Sequence, residues 1–565
     1  MGSSPSSPMS TMASLLDEVS QTSQELINVF SSYKDQTKLP PRKVVHQKSG
    51  SGSQKRPPMD NSPTPPIIES TNGKNSNSSS ELLVSLDAMP WLVDHQFFHQ
   101  APGWSDASDA FPVVPMTNII KIFGEKAQEA VPGKFVTGWK SMRAYRWTSA
   151  VPAKSIPILA SITSPNEVKL SLEGYAKGIV EISDTYPIPP TPSLGDLVSP
   201  KPSPQNAKEL YSERWMFHGP KYQGVKEIGL IGSNGIEAVI TRQSGPGSLL
   251  DAAGQLVGYW IEVMESVNQM ALPSTIGSIS VFGPEPEIGE ELRCSLRVTE
   301  LEIDHVTADI EIIKDNKVWC LIKDWVDHRF TSNPDLFFNF LYPEDHFVSK
   351  VIDGDFSIVH EIWRDSATRE LVMRNHTCAN ERMEYEDKNP KAQRQWLLGR
   401  VVAKEAVRTV VSKQIGRDIY PAEIEISHLE TGAPYVKSAI PEAESLSISI
   451  AHKDELDVAI VDDKIPVGID IEEFVAHGER FGSAILNESE LKFVDSADPN
   501  VSLTQLWSVK EAAAKCEGTG FEGKPKSFEV LAKSGDKFLV GKHWIKTKLI
   551  ENNERRYVVS WTINK

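Results

Sequence analysis

The sequence is poor in cysteine: Cys294, Cys320, Cys378 and Cys516 are its full complement in 565 residues, and none stands in CxxC spacing. A disulfide framework and a thiolate zinc site are thereby excluded, and a reducing, cytoplasmic setting is expected. Positive charge is also short. Lys and Arg number 59 against 76 Asp and Glu, a net charge of -17, so the overall field repels nucleic acid. No apolar run approaches the roughly 20 residues needed to span a bilayer, and no basic-then-apolar leader opens the chain. Neither a membrane partner nor export is expected. What is present is a globular composition, 39% hydrophobic and 24% charged, on a chain long enough for roughly three or four domain-sized units.

From Met12 to Phe30 apolar residues recur at helical spacing, with Asp17, Glu18 and Glu25 between them. This predicts an amphipathic helix, either a linker remnant or a docking helix. Residues 36–81 are crowded with Pro, Ser, Gly, Asn and Lys, a composition that buries too little apolar surface to offset ordering entropy. Residues 1–83 therefore read as a helix followed by a flexible tether. The stretch 84–350 reads as one unit written twice, over 84–215 and 216–350. Each half has a long apolar helix, PMTNIIKIFGEKAQEA or SLLDAAGQLVGYWIEVMESV, followed by alternating strands. A helix wrapped by an antiparallel sheet is expected in both, with YPIPPTPSLGDLVSPKPSP as the joining loop. Residues 351–565 turn helix-rich and read as a separate α+β domain with its entry linker.

In VGIDIE, Asp470 and Glu472 stand two apart on an expected strand, so their carboxylates share a face. Paired carboxylates with room for water and phosphate suit Mg²⁺. In WSVKEAAAK, Lys510 adjoins Glu511, and Glu511 and Lys515 stand at i and i+4 on a helix. Alone, that string is an ordinary solvated ion pair. The ordered series GRVVAKEAVR, TGAPYV, SISIAH, VGIDIE and WSVKEAAAK, spread over residues 390–565, resembles the phosphopantetheinyl transferases of the surfactin-synthetase-activating type. The resemblance implies a two-lobed α+β domain that moves 4′-phosphopantetheine from coenzyme A onto a serine of an acyl carrier protein. It implies Mg²⁺ on Asp470, Glu472 and Glu511, with Glu511 also taking the serine proton. It further implies phosphate contacts from Lys510 and Lys515 and a coenzyme A phosphate on His452. Arg400, Lys404 and Arg408 repeat every fourth residue, as a strip for the 3′-phosphate and the carrier or as a solvated helix face. Ala451 stands where the family often has a second serine.

His95 lies in MPWLVDHQFFHQ and Asp251 in GPGSLLDAAGQ. In isolation they are a turn histidine and a helix-N-terminal aspartate. LLDAAGQ and FHGPKYQGV, however, resemble the LLDAALQ and YGPxFQ motifs of polyketide synthase dehydratases, which are double hotdogs. The resemblance implies that His95 removes the C2 proton of a 3-hydroxyacyl thioester and Asp251 donates one to the departing hydroxyl. Gln255 would orient Asp251, and Tyr222 and Gly219 would line the tunnel. Three departures stand out: His99 replaces the glycine of HxxxGxxxxP, PVVP arrives only after QAPGWSDASDA, and Pro246 stands at the histidine of HPALLD. The expected whole is an α+β protein, a double hotdog followed by a transferase, from an iterative type I polyketide synthase or a partner of one. No ketosynthase, acyltransferase or DSL carrier pattern is present, so the acyl carrier protein is expected upstream in a longer chain or in trans. Two other readings make the hotdog unit a product-template cyclase or a noncatalytic dimer scaffold. By analogy with hotdog proteins, a homodimer through that unit is expected.

Overall fold

The computed structural model describes residues 77–363 and 365–563. The helix expected over 12–30 and the tether up to residue 76 lie outside the described residues. The first repeat of the chain gives β1 (Asn77–Val84), α1 (Met116–Ala130), β2 (Phe135–Ala144), β3 (Lys154–Ser164), β4 (Glu167–Leu172) and β5 (Ala176–Ser183). The second gives β6 (Lys201–Pro202), β7 (Val225–Gly232), β8 (Gly235–Thr241), α2 (Ser248–Met264), β9 (Ala271–Val281), β10 (Glu291–Leu301), β11 (His305–Lys314) and β12 (Lys317–Arg329).

These twelve strands form one sheet in the order β1-β3-β4-β5-β2-β9-β12-β11-β10-β8-β7-β6. Its midline is the antiparallel β2–β9 pair, with Trp139 opposite Ile279, so two hotdogs share one sheet. Each half wraps its helix. Phe123 of α1 and Leu256 and Trp260 of α2 are buried in the core that this sheet encloses.

Two features differ from the pattern of the sequence. Residues 77–83, whose Ser- and Asn-rich neighbourhood placed them in the tether, belong to β1, which pairs with β3 at the sheet edge. An edge strand is held by its backbone ladder, and Val84 and Leu82 supply enough inward apolar surface. Strand β2 carries no clean alternation because bulges after Val136 and Lys140 each reset its period of two.

The C-terminal part builds two helix-on-sheet layers. The first comprises β13 (Lys350–Ile352), β14 (Phe356–His360), α3 (Pro390–Ile415), the small pair β15 (Glu425–His428) and β16 (Pro434–Lys437), β17 (Ser447–Lys453) and β18 (Leu456–Asp462). Its sheet runs β13-β14-β18-β17. Helix α3 opens at Asn389, whose side chain accepts the Ala392 N–H, has Pro390 in its first turn, and stops at Gly416. The second layer comprises β19 (Ile469–Glu473), α4 (Pro499–Cys516), β20 (Val530–Ser534), β21 (Lys537–Val540), β22 (His543–Asn552) and β23 (Arg555–Ile563), in the sheet order β19-β23-β22-β21-β20.

The layers meet where the Ser449 hydroxyl accepts the Ile469 N–H at 3.1 Å, tying β17 to β19. A shared core ties the C-terminal part to the hotdog region. Phe98, Phe111 and Val113 pack with Leu371, Leu397 and Val401, and the buried Arg382–Asp109 ion pair at 2.7 Å crosses the same boundary. Among the described residues no helix is long and apolar enough to cross a membrane.

Candidate active sites

The first site forms where α2 starts against α1. Gly247 caps α2 in the left-handed region, at φ +78°, and a Cβ there would meet the Thr117 carbonyl oxygen at 2.5 Å. Only glycine permits so close a junction. It sets Asp251, in the first turn of α2, beside α1, where the Thr117 hydroxyl donates to Asp251 Oδ1 at 3.2 Å. The Gln255 amide donates to Asp251 Oδ2 at 2.9 Å and to the Tyr222 carbonyl at 2.8 Å, and the Tyr211 hydroxyl holds Gln255 Oε1 at 2.8 Å.

His95 follows a short 3₁₀ turn over Pro90–Asp94 and is buried. Its Nδ1 lies 2.9 Å from the Val113 carbonyl. A carbonyl oxygen can only accept, so Nδ1 carries the proton and Nε2 is left as the basic nitrogen. Burial, and after it the neighbouring His218, push the His95 pKa down to about 4. The ring is therefore neutral at pH 7 and able to take a proton.

Sequence reasoning missed His218. Its Nε2 stands 3.2 Å from Asp251 Oδ2, and its ring meets that of His95 edge-on with centroids 5.1 Å apart. It occupies the tyrosine position of YGPxFQ within FHGPKYQGV, a string read only for its glycine and second aromatic residue. The partnership alters the expected acid. Burial alone would raise the Asp251 carboxyl, but the charge and hydrogen bond of His218, with help from His95 and Gln255, hold it below its ordinary value. Asp251 is thus held as an ionised group, with His218 as its hydrogen-bond partner.

Tyr222 and Gly219 do not line the cavity beside this pair, although His95, His218, Asp251 and Gln255 do. Tyr222 is fully buried and donates to the Pro246 carbonyl at 3.2 Å. Gly219 packs against Asp94, its N–H donating to the Asp94 carbonyl at 2.8 Å. Both buttress the His95 loop instead.

The second site forms where α4 presses on β19. A Cβ at Gly468 would lie 1.9 Å from the Ala512 carbonyl oxygen, so a glycine is required for helix and strand to approach this closely. The contact delivers Glu511, on α4, to Asp470 and Glu472, on β19, with one oxygen of each carboxylate within 4.8 Å of the others. Lys515 donates to Asp470 Oδ1 at 2.7 Å. Lys453 donates to Glu472 Oε2 at 2.6 Å, and the Trp507 indole donates to Glu472 Oε1 at 3.1 Å. Asp470 Oδ2, by contrast, is buried with no hydrogen-bond partner among the described residues. Burial, followed by the charge of Asp470, pushes the Glu511 carboxyl up to about 8. An orphaned buried oxygen and a carboxyl that resists ionisation are what three crowded acids show when the positive charge among them is insufficient. The donor set is all oxygen and fits a hard divalent cation. His452, at the exposed end of β17, flanks this cluster.

Lys510, Lys404 and Arg400 do not belong to a phosphate site. Lys510 is fully buried, bonded to the Ile485 carbonyl at 2.8 Å and to Glu490 at 2.9 Å. Glu490 in turn accepts the Val530 and Asn487 N–H groups, each at 2.7 Å, so the pair staples α4 to the loop before it and to β20. The helices over Ser366–His376 and Ala379–Glu386 cover α3, which removes its basic strip from solvent. Lys404 pairs with Glu381 and bonds the His376 carbonyl at 2.7 Å. Arg400 stacks on Trp396 at 4.4 Å and bonds Glu384 at 3.1 Å, and Arg408 bonds the Ile419 carbonyl at 2.6 Å. Helical spacing put these residues on one face, but could not say that other helices lie on it.

Residues 466–562 match the family model described as the 4′-phosphopantetheinyl transferase superfamily. They form a domain of that superfamily, and they span β19, α4 and β20–β23. No curated protein matches the chain. Among solved structures, the dehydratase domain of a mycocerosic acid synthase-like polyketide synthase is similar at 16% identity and TM-score 0.35, over 46% of this chain and 92% of that one. The dehydratase domain from the CurF module of curacin polyketide synthase is similar at 15% identity and TM-score 0.35, over 46% and 96%. That from the CurK module stands at 14% identity and TM-score 0.35, over 47% and 97%.

Two outcomes follow from the second site. Lys510→Met leaves Glu490 buried and uncompensated and is expected to lower unfolding stability by about 3–5 kcal/mol, read by denaturant titration. Below about pH 8 a proton on Glu511 competes with any cation. Mg²⁺ affinity is therefore expected to rise up to about tenfold per pH unit until near that pH and then level off. Each ion bound should release up to one proton, counted by calorimetry in buffers of different ionisation enthalpy.

Proposed function

We propose that residues 351–565, both helix-on-sheet layers together, act as a phosphopantetheinyl transferase whose acceptor is an acyl carrier protein. The convergence of Asp470, Glu472 and Glu511 around an unpartnered buried oxygen carries this reading. These three carboxylates would hold Mg²⁺, which supplies charge neutralisation on the diphosphate of coenzyme A. Lys515 and Lys453, already beside the acids, and the exposed His452 would bind the remaining phosphate charge. The carrier serine oxygen attacks the phosphorus that bears pantetheine. A new phosphoester bond forms, the diphosphate bond breaks, and 3′,5′-ADP leaves with the electron pair. Glu511, which a bound cation would hold ionised, would accept the serine proton.

The double hotdog is proposed as a 3-hydroxyacyl dehydratase. His95 Nε2, free because Nδ1 is committed to Val113, takes the C2 proton of the thioester. The proton held between His218 and Asp251 goes to the C3 hydroxyl, which leaves as water, and an enoyl thioester remains. Thr117 and Gln255 keep the carboxylate in place for that transfer.

Asp470→Ala and Glu511→Ala are each expected to slow pantetheine transfer roughly 100- to 1000-fold. The check is the mass gain of an apo carrier incubated with coenzyme A and Mg²⁺, and an undiminished gain overturns the assignment. For dehydration, His95→Ala is expected to cost roughly 100- to 10,000-fold. The wild-type kcat/KM should fall on acidification with a midpoint of about 4, where His95 gains its proton. Enoyl formation followed by absorbance provides both readouts, and an unaltered rate in the variant removes His95 from the reaction.

A further inference from the structure

The cavity that begins at His95 and Asp251 continues along one face of α2. Asp251, Gln255, Gly258 and Glu262 all line it. From Asp251 to Glu262 is eleven residues, just over three whole turns, so both carboxyls project to the same side about 16 Å apart along the helix. At the Glu262 end α2 is clasped to the end of β12, where Arg329 donates to Glu265 at 2.8 Å. Asp327, two residues before Arg329 on β12, also lines the cavity. The chamber therefore has acid groups at two poles, and only one of them belongs to the proposed reaction.

The second pole is underused. Glu262 Oε2 is sealed from water and has no hydrogen-bond partner among the described residues. Asp327 is buried, and its Oδ1 is met by the indole of Trp325, two residues earlier, at 2.7 Å. Among the described residues neither acid has a basic partner. Arg214, which also lines the chamber, is already paired with Glu344 at 2.6 Å. Such groups persist in an apolar chamber when something else completes their hydrogen bonds. Burial raises both carboxyls, Asp327 to about 7 and Glu262 well above the ordinary range. A neutral carboxyl both donates and accepts, which matches a hydroxyl or a ketone. Trp325, Leu272, Phe337 and Phe340 also line the chamber.

We propose that Glu262 is the recognising group of a distal subsite, on a cavity wall that Asp327 also lines, which takes an oxygen function, hydroxyl or keto, carried on the acyl chain about three helical turns from the reacting carbon. The proposal rests on the dehydratase reading of the same cavity. It assigns the chamber to acyl chains that retain oxygen far from the thioester, and it makes a uniformly reduced fatty chain the poorer ligand. A distal oxygen completes the hydrogen bonds of Glu262 Oε2, whereas a methylene leaves that atom unmet.

Binding of unreactive acyl-pantetheine amides to the full chain tests this by calorimetry. The set is one chain length, either plain or bearing a single hydroxyl stepped along it one carbon at a time. One position is expected to bind about tenfold more tightly than the plain chain. Glu262→Leu should erase that preference while still binding the plain chain, and Glu262→Gln, which keeps hydrogen-bonding capacity, should retain it. Equal affinity across the series, a preference that survives Glu262→Leu, or a preference for a terminal amine overturns the proposal. So does a loss of affinity for pantetheine without an acyl chain in Glu262→Leu, because the pole would then be reading the carrier arm. Turnover of 3-hydroxyacyl thioesters by the wild type is measured in parallel. Dehydration without a positional preference sinks the subsite alone, and a preference without dehydration sinks the dehydratase reading alone.

Discussion

A charge withdrawn from water must be met by an opposite charge or by hydrogen bonds, and the cost of leaving it unmet is several kcal/mol. That requirement sorts the ionisable residues of this chain into two populations. In one the debt is settled within the fold: Lys510 with Glu490, Lys404 with Glu381, Arg382 with Asp109, each pair buried and each tying one element to another. In the other it is left open toward a cleft or cavity. Asp470 and Glu511 crowd a third acid, and Glu262 and Asp327 face an apolar chamber. Position in the first population makes a residue structural whatever motif contains it.

The two proposed sites use backbone proximity in the same way. At Gly247 the start of α2 is laid on α1, and at Gly468 α4 is laid on β19. In each case the missing side chain lets an acid on a helix reach groups on a separate element. The outcomes differ because the neighbours differ. Around Asp251, Thr117, Gln255 and His218 meet the carboxylate and keep it ionised. Around Glu511, the like charge of Asp470 reinforces burial, and the carboxyl holds its proton. The first arrangement suits proton transfer between fixed partners, and the second suits a divalent cation.

Much of the fold was legible. The helices α1, α2 and α4 stand where apolar spacing put them, and the hairpin of β4 and β5 follows its alternation. Strand β2 was not legible, because its bulges break the alternation from which strands are read. The share of residues 77–83 in the sheet escaped for another reason, since an edge strand is held by backbone pairing that leaves little trace in composition. For the sites, GIDIE and WSVKE named the three acids that converge. Lys510, in the same string, points the other way into the core. His218 was hidden because its partner Asp251 is remote in sequence, and a lone histidine beside a glycine gives no sign of what it will touch.

The order of residues alone determined which segments could be helix or strand, which carboxylates share a strand face, and which strings mark the transferase superfamily. These are local properties, set by the repeat of the backbone and by the chemistry of neighbouring side chains. Only the tertiary structure decided which basic residues meet solvent and which meet a carboxylate, that His218 joins Asp251, and that Glu262 ends a chamber begun three turns earlier. Burial and charge pairing depend on what packs against a face, and the packing partner lies far along the chain, beyond the reach of any local pattern.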